Sequence, residues 1–310
     1  MSRRFAVVRL SALGDLVLVS PALEYLSRKG EVMLITYPAF SSLYDGDPRV
    51  SRVLTLPRRA RIGEITEVAR EVKEWGAEVL FDLQVKPLTF LLSLTLRRAG
   101  VPTVRTYKRS LRRRLHAWLG LPLPYEYVPQ LHLKAIARYF GESPPTIRPR
   151  LYAPTRKGFR TPYVVIAPEA SSPLKEWDFS RFHALARRLK EMGYRVVWVG
   201  KRGKPPVSVG EDLRGKTDLK ALVEVIAGAK VLIGNDSAAV HMAHALGVRV
   251  VVIMGPTTVS FGFIPKDPSV RVAERPLKCR PCSTNGSGRC MVGGRPCMGV
   301  DVDEVLSLVI

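Results

Sequence analysis

The chain has 310 residues, 46% of them hydrophobic, and 49 lysines and arginines against 27 acidic residues give a formal net charge of +22. This length allows one large domain or two ordinary ones, and the charge favours a polyanionic partner. No apolar run approaches the roughly 20 residues of a membrane span, and the longest, residues 88–96, is followed by two arginines. Because Arg3 and Arg4 lead directly into a strand pattern without a cleavage site, we expect a cytoplasmic protein.

The first half alternates strand and helix patterns. The predicted strands are residues 5–8, 31–36, 53–56 and 79–82, and the predicted helices are residues 17–26 and 62–75. Strands separated by helices are typical of βαβ units in a parallel sheet. Prolines interrupt the middle of the chain repeatedly, so we place a domain linker near 142–160.

The second half repeats this alternation. The predicted strands are residues 163–167, 195–199, 231–233 and 248–254, and the predicted helices are residues 179–192, 219–227, 241–246 and 303–310. We therefore predict an α/β protein with two Rossmann-like, doubly wound domains, residues 1–150 and 151–310, that face a common cleft. Ligands of such domains bind at the carboxyl ends of the strands.

A glycine turn with an acidic residue follows the first strand and reads RLSALGD over residues 9–15. A strand that runs through such a turn into a helix aims backbone N–H groups at an anion. Neither G-x-G-x-x-G after this strand nor a P-loop pattern is present, which makes NAD and P-loop nucleotide sites weak interpretations. Asp15 would repel a phosphate, so we weigh two roles: a general base for a substrate hydroxyl, and a helix-capping residue.

A second glycine turn, GNDSAAVH over residues 234–241, opens a helix in the other half. The N–H groups of residues 237–240 are predicted to bind a diphosphate, although Asp236 or Ser237 could instead cap the helix. His241 lies one turn into this helix and either faces the ligand or serves as a structural hydrogen-bond donor. Between the two turns, Ser171, Ser172 and Lys175 offer hydroxyl groups and a cation to phosphate oxygens.

The basic residues cluster locally. Residues 97–114 contain eight lysines and arginines and no acidic residue. Such a run is either a solvated basic face or an anion site.

Three stretches together resemble glycosyltransferase family 9, the lipopolysaccharide heptosyltransferases. Residues 9–17 (RLSALGDLV) with 21–23 (PAL) are similar to the family's R-L-S-x-L-G-D-V-V…P-A-L. Lys175-Glu176-Trp177 resembles its K-x-W. Residues 234–257 (GNDSAAVHMAHALGVRVVVIMGPT) resemble its N-D-S/T-G-P-x-H-x-A-A-A-L-G…G-P-T.

The resemblance implies a GT-B fold and inverting, metal-independent transfer of a heptose from ADP-heptose to the lipopolysaccharide inner core, with no cofactor. By matched position, Asp15 would be the general base and Lys175 would offset charge on the leaving diphosphate. Ser171 and Ser172 would hydrogen-bond phosphate. The diphosphate turn would comprise Asp236, Ser237, Ala238, Ala239 and His241.

The resemblance also implies an acceptor of the Kdo–lipid A type, an anionic lipid-linked glycan. The expected acceptor contacts are Ser11, Gly14, Lys86, Arg105, Arg112, Arg113 and His132. The enzyme would touch the inner membrane surface peripherally through basic residues of its N-terminal half. Two alternatives stay open: a family member with another nucleotide-sugar donor or glycan acceptor, and a basic nucleic-acid-binding protein. The second lacks any recognisable DNA or RNA module, so no nucleic acid is expected.

Two departures from the family pattern bear on the nucleotide. Ala238-Ala239 replaces the usual Gly-Pro, which would narrow the backbone approach if the first position needs a positive φ. After the strand at residues 195–199 the family has an acidic residue, whereas here no acid occurs until Glu211. This departure leaves the recognition of ribose and adenine open.

All four cysteines lie in one C-terminal stretch, with the spacing Cys279-x2-Cys282-x7-Cys290-x6-Cys297. Free thiols, disulfides and a metal site are all compatible with this spacing. A catalytic role is disfavoured because no base or carboxylate motif adjoins them.

Overall fold

The computed structural model describes residues 2–153, 162–202 and 205–310. The chain divides into two compact units, one formed by Met1–Lys108 with Val128–Tyr152 and the other by Arg109–Tyr127 with Ala153–Ile310. Part of the linker predicted near 142–160 lies outside the described residues, as do Gly203 and Lys204 of the segment expected to carry an acid.

The first unit is built on a parallel sheet. Its strands are β1 (Arg4–Val8), β2 (Glu31–Thr36), β3 (Arg52–Thr55), β4 (Val79–Asp82) and β5 (Thr103–Arg105). The helices between β1 and residue 152 are α1 (Leu13–Val17), α2 (Ser20–Ser27), α3 (Ile62–Glu74), α4 (Pro87–Arg98), α5 (Ser110–Leu119) and α6 (Val128–Phe140). All of these helices belong to the first unit except α5, which belongs to the second. The strand order is β3-β2-β1-β4-β5.

The second unit repeats this plan. Its strands are β6 (Tyr163–Ala167), β7 (Arg195–Trp198), β8 (Glu211–Asp212), β9 (Val231–Asn235), β10 (Arg249–Met254) and β11 (Val270–Glu274). Its further helices are α7 (Phe179–Glu191), α8 (Leu219–Ala227), α9 (Ala238–Ala245) and α10 (Val302–Ser307). The strand order is β11-β10-β9-β6-β7-β8, and every paired strand runs parallel to its neighbour.

Local sequence explains why these elements form. The central strands β1, β6 and β9 are almost entirely buried, as expected for parallel strands covered by helices on both faces. Helix α3 buries one stripe of apolar residues spaced three and four apart, and its Glu64 carboxylate accepts a hydrogen bond from the Arg61 N–H at 2.7 Å. The helix ends before Gly76, whose positive φ of 80° reverses the chain.

The strand order places a topological switch point in each unit. In the first unit, β1 lies between β2 and β4, so the connections after β1 and β4 leave to opposite sides. In the second unit, β6 and β9 have the same relation. Crevices at such carboxyl strand ends are where doubly wound sheets bind ligands. Both glycine turns lie at these ends.

The predicted α/β class with two Rossmann-like units is confirmed. Several elements were missed: the apolar run at residues 88–96 is the amphipathic helix α4, and the proline-interrupted middle contains β5, α5 and α6. The helix predicted at residues 17–26 is two helices, α1 and α2. Across the described residues, no helix combines the length and apolar character needed to cross a membrane.

Candidate active site

Asp15 lies in the first turn of α1, at the carboxyl end of β1. Its Oδ2 lies 2.7 Å from Arg9 Nη2 and accepts a hydrogen bond from the Ala12 N–H at 3.1 Å. The second contact is the capping interaction that we weighed against a catalytic role. The Asp15 side chain is nevertheless 23% exposed, so one carboxylate both caps the helix and stays accessible.

Gln84 ties the turn after β1 to the end of β4. Its Oε1 accepts hydrogen bonds from the N–H groups of Leu10 and Ser11, each at 3.2 Å, and its Nε2 donates to Ser11 Oγ at 3.2 Å. The buried Asp82 in turn accepts hydrogen bonds from the N–H groups of Gln84 and Val85 at 3.0 and 2.8 Å. The switch point of the first unit is thus held by side chains from both strand ends.

Basic groups surround this strand end. Arg105 Nε lies 3.7 Å from Asp82 Oδ2, and Lys108 Nζ donates to the Val85 carbonyl oxygen at 2.8 Å. Partial burial, followed by the positive charges of Lys86 and Arg9, lowers the pKa of the Lys108 ammonium. A cluster in which cations disfavour one another's charge is stabilised by an anion. Lys108 was not assigned to the site from sequence, although it belongs to the basic run.

The residues of the predicted acceptor set are divided between the two units. Ser11, the buried Gly14, Lys86 and Arg105 lie at the strand ends of the first unit. Arg112 and Arg113 instead lie on α5 of the second unit. His132 is buried in α6, with Nδ1 3.2 Å from Thr106 Oγ1.

Lys175 and Asp236 form an ion pair at the switch point of the second unit. Lys175 Nζ lies 2.6 Å from Asp236 Oδ2, and both side chains are about nine-tenths buried. Thr257 Oγ1 donates to the same carboxylate oxygen at 3.1 Å. Burial alone raises the pKa of the Asp236 carboxyl, but the charges of Lys175 and His241 and these hydrogen bonds hold that pKa below its usual range. The carboxylate therefore fixes Lys175 in place.

The first turn of α9 presents hydrogen-bond donors of the kind that bind anions. Ser237 occupies the N-cap position, yet its side chain makes no capping hydrogen bond. Among the described residues its Oγ is buried without a hydrogen-bond partner. The N–H groups of the first helical turn also lack intrahelical acceptors. Ala238 begins the helix with ordinary helical geometry, so replacing the family's glycine here does not narrow the turn through a positive φ.

The loop after β6 lies beside this turn. Ser172 Oγ donates to the Gly286 carbonyl oxygen and accepts a hydrogen bond from the Leu174 N–H at 3.4 Å, while Ser171 is exposed. Asn235, at the end of β9, accepts from the Trp177 N–H at 3.0 Å and donates to the Pro168 carbonyl oxygen at 2.6 Å. Asn235 is a positioning residue that we missed. The sequence feature that could have indicated Asn235 is a polar residue at the end of a buried strand.

Glu169 supplies an acid next to the segment in which we found none. Its carboxylate accepts hydrogen bonds from the N–H groups of Lys201 and Arg202, at 3.0 and 2.7 Å. It approaches Gly200 so closely that a Cβ there would lie 2.6 Å from Oε1. Glu169 and Arg202 also line a cavity of about 340 Å³ at this end of the unit.

The four cysteines are free thiols in the structure. In the described part of the chain, no three His, Cys, Asp or Glu side chains are grouped so as to hold a metal ion. Burial raises the pKa of the Cys282 and Cys297 thiols, which disfavours the thiolate that metals and electrophiles require.

Curated relatives of this chain are lipopolysaccharide heptosyltransferases. Lipooligosaccharide heptosyltransferase 2 of Haemophilus influenzae is 30% identical over 135 residues, 36% of this chain and 39% of that protein. Lipopolysaccharide heptosyltransferase 2 of Escherichia coli is 26% identical over 253 residues, 69% of this chain and 71% of that protein. The matched stretch thus spans well under half of the first relative.

Solved structures share the fold over the whole chain. The glycosyl transferase family 9 protein from Veillonella parvula has a TM-score of 0.78 at 17% identity, covering 99% of this chain and 97% of that one. ADP-heptose lps heptosyltransferase II of E. coli has a TM-score of 0.72 at 19% identity, covering 99% and 98%. The iron-containing dodecameric glycosyltransferase TibC of E. coli has a TM-score of 0.64 at 17% identity, covering 99% and 75%. These likenesses establish the GT-B fold.

The family itself follows from the sequence match. The sequence model of glycosyltransferase family 9 (heptosyltransferase) matches residues 130–288, just over half of the chain. The match includes Lys175, Asp236 and the α9 turn. It confirms the resemblance that the three stretches indicate. The chain belongs to glycosyltransferase family 9.

Proposed function

We propose that this protein is an inverting glycosyltransferase that transfers a heptose from ADP-heptose to a hydroxyl of the lipopolysaccharide inner core, with a Kdo–lipid A type acceptor. The observation that carries this proposal is the arrangement at the switch point of the second unit. There, a nearly buried lysine and the start of a helix lie beside a serine hydroxyl that has no hydrogen-bond partner within the described part of the chain. Together they supply the positive charge and hydrogen-bond donors that a leaving diphosphate needs.

In the proposed donor site, the α9 turn and Lys175 hold the diphosphate. The N–H groups at Ala238 and Ala239 and the Ser237 hydroxyl bind phosphate oxygens, and Ser171 adds a hydroxyl donor from the loop after β6. The Ser172 hydroxyl holds that loop in place by donating to the Gly286 carbonyl oxygen. Asp236 and His241 support these groups rather than bind the phosphates themselves, because the Asp236 carboxylate is already paired with Lys175 and hydrogen-bonded by Thr257. Lys175 offsets the negative charge that develops as the diphosphate departs.

In the proposed acceptor site, Asp15 is the general base. Its carboxylate takes the proton of the acceptor hydroxyl while that oxygen attacks the anomeric carbon. The bond from this carbon to the diphosphate breaks on the opposite face, which inverts the configuration and releases ADP. Arg9 fixes the orientation of the carboxylate through their 2.7 Å contact. Lys86, Arg105 and Lys108 offer positive charge to an acceptor rich in phosphate and carboxylate.

The transfer is proposed to need no metal ion, because Lys175 and the α9 turn provide the positive charge that a metal supplies elsewhere. Exhaustive dialysis against a chelator should leave the transfer rate unchanged. Loss of activity that returns with iron or zinc would contradict this part of the proposal and direct attention to the four cysteines.

One observation favours a sugar donor other than ADP-heptose. Glu169 is the acid at the end of the unit where we expect the nucleotide, and its carboxylate already accepts hydrogen bonds from two backbone N–H groups. It is therefore less available to a ribose hydroxyl than a carboxylate without these hydrogen bonds would be. A nucleotide sugar other than ADP-heptose would keep the fold and the mechanism and change only the contacts to the nucleoside.

Binding of free nucleotides tests the donor directly. We would measure thermal shifts with ADP, UDP, GDP, NAD and a short single-stranded oligonucleotide at moderate salt. The proposal expects a shift with ADP. A shift with UDP or GDP alone would favour the second donor, and a response only to the oligonucleotide, lost at higher salt, would contradict the proposal.

A further inference from the structure

Helix α5 differs from the other helices in how little of it is covered. All of its residues are described, and none is buried. Its inner face rests on the second unit through two aromatic contacts: the Arg113 guanidinium lies 4.5 Å from the Phe263 ring centre, and the His116 and Phe261 rings are 6.2 Å apart. The opposite face carries large apolar side chains into solvent.

The outer face of α5 and the residue after its C-cap carry exposed apolar side chains, defined here as the α5 patch: Leu111, Trp118, Leu119 and Leu121. Leu111 and Trp118 are seven residues apart and therefore share a helix face. They are 65% and 71% exposed, and Leu119 is 67% exposed. Scattered single apolar residues are ordinary on a surface, but a contiguous group with a tryptophan indicates a binding surface.

The charges on α5 and in the sequence on either side of it are of one sign. No acidic residue occurs in residues 97–125, whereas Arg112 and Arg114 are exposed on α5 itself. A helix with arginines beside tryptophan and leucine is typical of segments that lie in the interface of a bilayer. The apolar side chains enter the acyl boundary while arginines remain at the level of the phosphates.

The segment is also held in shape before any binding. The buried Arg109 donates to the Pro124 carbonyl oxygen at 2.8 Å and lies 3.7 Å from Glu126. Tyr125 OH donates to the Ile264 carbonyl oxygen at 3.2 Å. A patch presented by a preformed helix loses less conformational freedom on docking than a loop would.

We infer that the α5 patch docks this protein on an anionic phospholipid bilayer, with Trp118 and Leu119 in the headgroup–acyl boundary and Arg112 and Arg114 on lipid phosphates. The inference rests on the proposed function, whose acceptor is lipid-linked, and it assigns the membrane contact expected from the sequence to α5 of the second unit. A protein partner would have to supply acidic groups placed to pair with these arginines, whereas an anionic bilayer offers phosphates over its whole surface.

Vesicle binding of the full chain tests this inference. We would compare phosphatidylcholine vesicles with vesicles that also contain phosphatidylglycerol, using co-sedimentation and tryptophan fluorescence. Trp118 is the exposed one of the four tryptophans. We expect the protein to bind the anionic vesicles with a blue shift of its emission, and this binding should weaken as salt is raised. In Trp118→Phe, binding should persist while most of the blue shift disappears.

The decisive variant is Trp118→Ser/Leu119→Ser, with Ile62→Ser/Met291→Ser as its control, since Ile62 and Met291 are 75% and 88% exposed elsewhere. The first should lower partitioning by about tenfold or more, and the control should match the unmodified chain. Equal binding of both double variants, or equal binding to both vesicle types, would overturn the inference. So would a lipid-free dimer that only the α5 variant abolishes, because the patch would then join two copies.

Nucleotide binding separates this inference from the proposed function. The α5 double variant should keep the ADP thermal shift of the unmodified chain, which also shows that it is folded. Vesicle binding without any ADP shift would leave the α5 surface in place and contradict the donor assignment alone.

Discussion

The Asp15 carboxylate has a structural role in α1 and, in our proposal, a chemical role as the general base. It caps α1 through the Ala12 N–H and pairs with Arg9, yet it remains partly exposed at the end of β1. We expect Asp15→Asn to keep the fold and the ADP affinity while lowering the transfer rate by about a hundredfold or more, because the amide cannot accept the hydroxyl proton. Steady-state transfer and ADP titration measure the two effects. Retention of most activity would remove Asp15 as the base.

Lys175 and Asp236 form a nearly buried ion pair, and we propose that Lys175 also binds the diphosphate. Lys175→Met should weaken ADP binding by about 1–3 kcal/mol through loss of a charged hydrogen bond. It should also destabilise the fold by about 3 kcal/mol, because Asp236 would be left as an unpaired charge in a nearly buried position. Calorimetric titration and urea unfolding measure the two losses.

A matched double variant separates the two effects of Lys175. Lys175→Met/Asp236→Asn removes both charges, so it should recover most of the lost stability without recovering ADP affinity. Recovery of affinity would show that Lys175 does not contact the nucleotide.

The stability of the second unit should depend on pH through Asp236. The pKa of this carboxyl is lowered in the folded protein, so its contribution to stability is complete above the unfolded value of about 3.9 and is lost as the pH falls through the folded value. The free energy of unfolding should therefore fall more steeply below about pH 4 in the unmodified chain than in Asp236→Asn. Parallel pH profiles from urea unfolding would contradict the ion pair.

At the scale of elements, Gly262 fixes the segment that carries α5. It has a φ of +80°, and a Cβ there would overlap the Glu126 carbonyl oxygen. Gly247 has a φ of +75° with nothing near its missing Cβ, which makes it the matched control. Gly247→Ala should cost about 1 kcal/mol of backbone strain, whereas Gly262→Ala should cost about 2 kcal/mol more through overlap. Equal losses in urea unfolding would mean that the segment is not held at Gly262.

The helices and strands also show which parts of the fold can be predicted from sequence patterns. Buried parallel strands such as β1 and β9 were predicted because their apolar runs are bounded by turn residues. Helix α5 was missed because it has no buried stripe and depends on contacts with Phe261 and Phe263, far along the chain. Strand β8 has only two residues and carries no periodicity.

The candidate site divides in the same way. The positions of Asp15 and Asp236 follow from parallel topology, since a turn after a buried strand lies at the carboxyl edge of the sheet. The sequence did not indicate the role of Glu169, because its carboxylate accepts a hydrogen bond from the N–H of Arg202, which lies 33 residues further along the chain. Lys108 follows β5, and it comes near the Asp15 turn only because β5 pairs with β4 in the sheet. No local sequence pattern indicates that pairing.

At the scale of the whole molecule, each unit has its own hydrophobic core. Residues such as Leu34 and Leu80 belong to the first unit, and the cluster that includes Trp177, Trp198 and Ile233 belongs to the second. A ligand that binds only the second unit should therefore stabilise that unit first. At a hundredfold excess over its Kd, ADP should add about 2.7 kcal/mol to the second unit. Hydrogen exchange followed by mass spectrometry should show slower exchange in β6, β9 and α9, and equal protection of β1 and β4 would contradict the donor assignment.

The reaction itself is the most direct test of the central claim. The full chain would be incubated with ADP-heptose and Kdo–lipid A, and the acceptor would be examined by mass spectrometry beside an Asp15→Asn control. We expect the acceptor to gain one heptose with release of one ADP, and the control to gain almost none. An unchanged acceptor from a folded, ADP-binding protein would contradict the claim that this protein is a lipopolysaccharide heptosyltransferase.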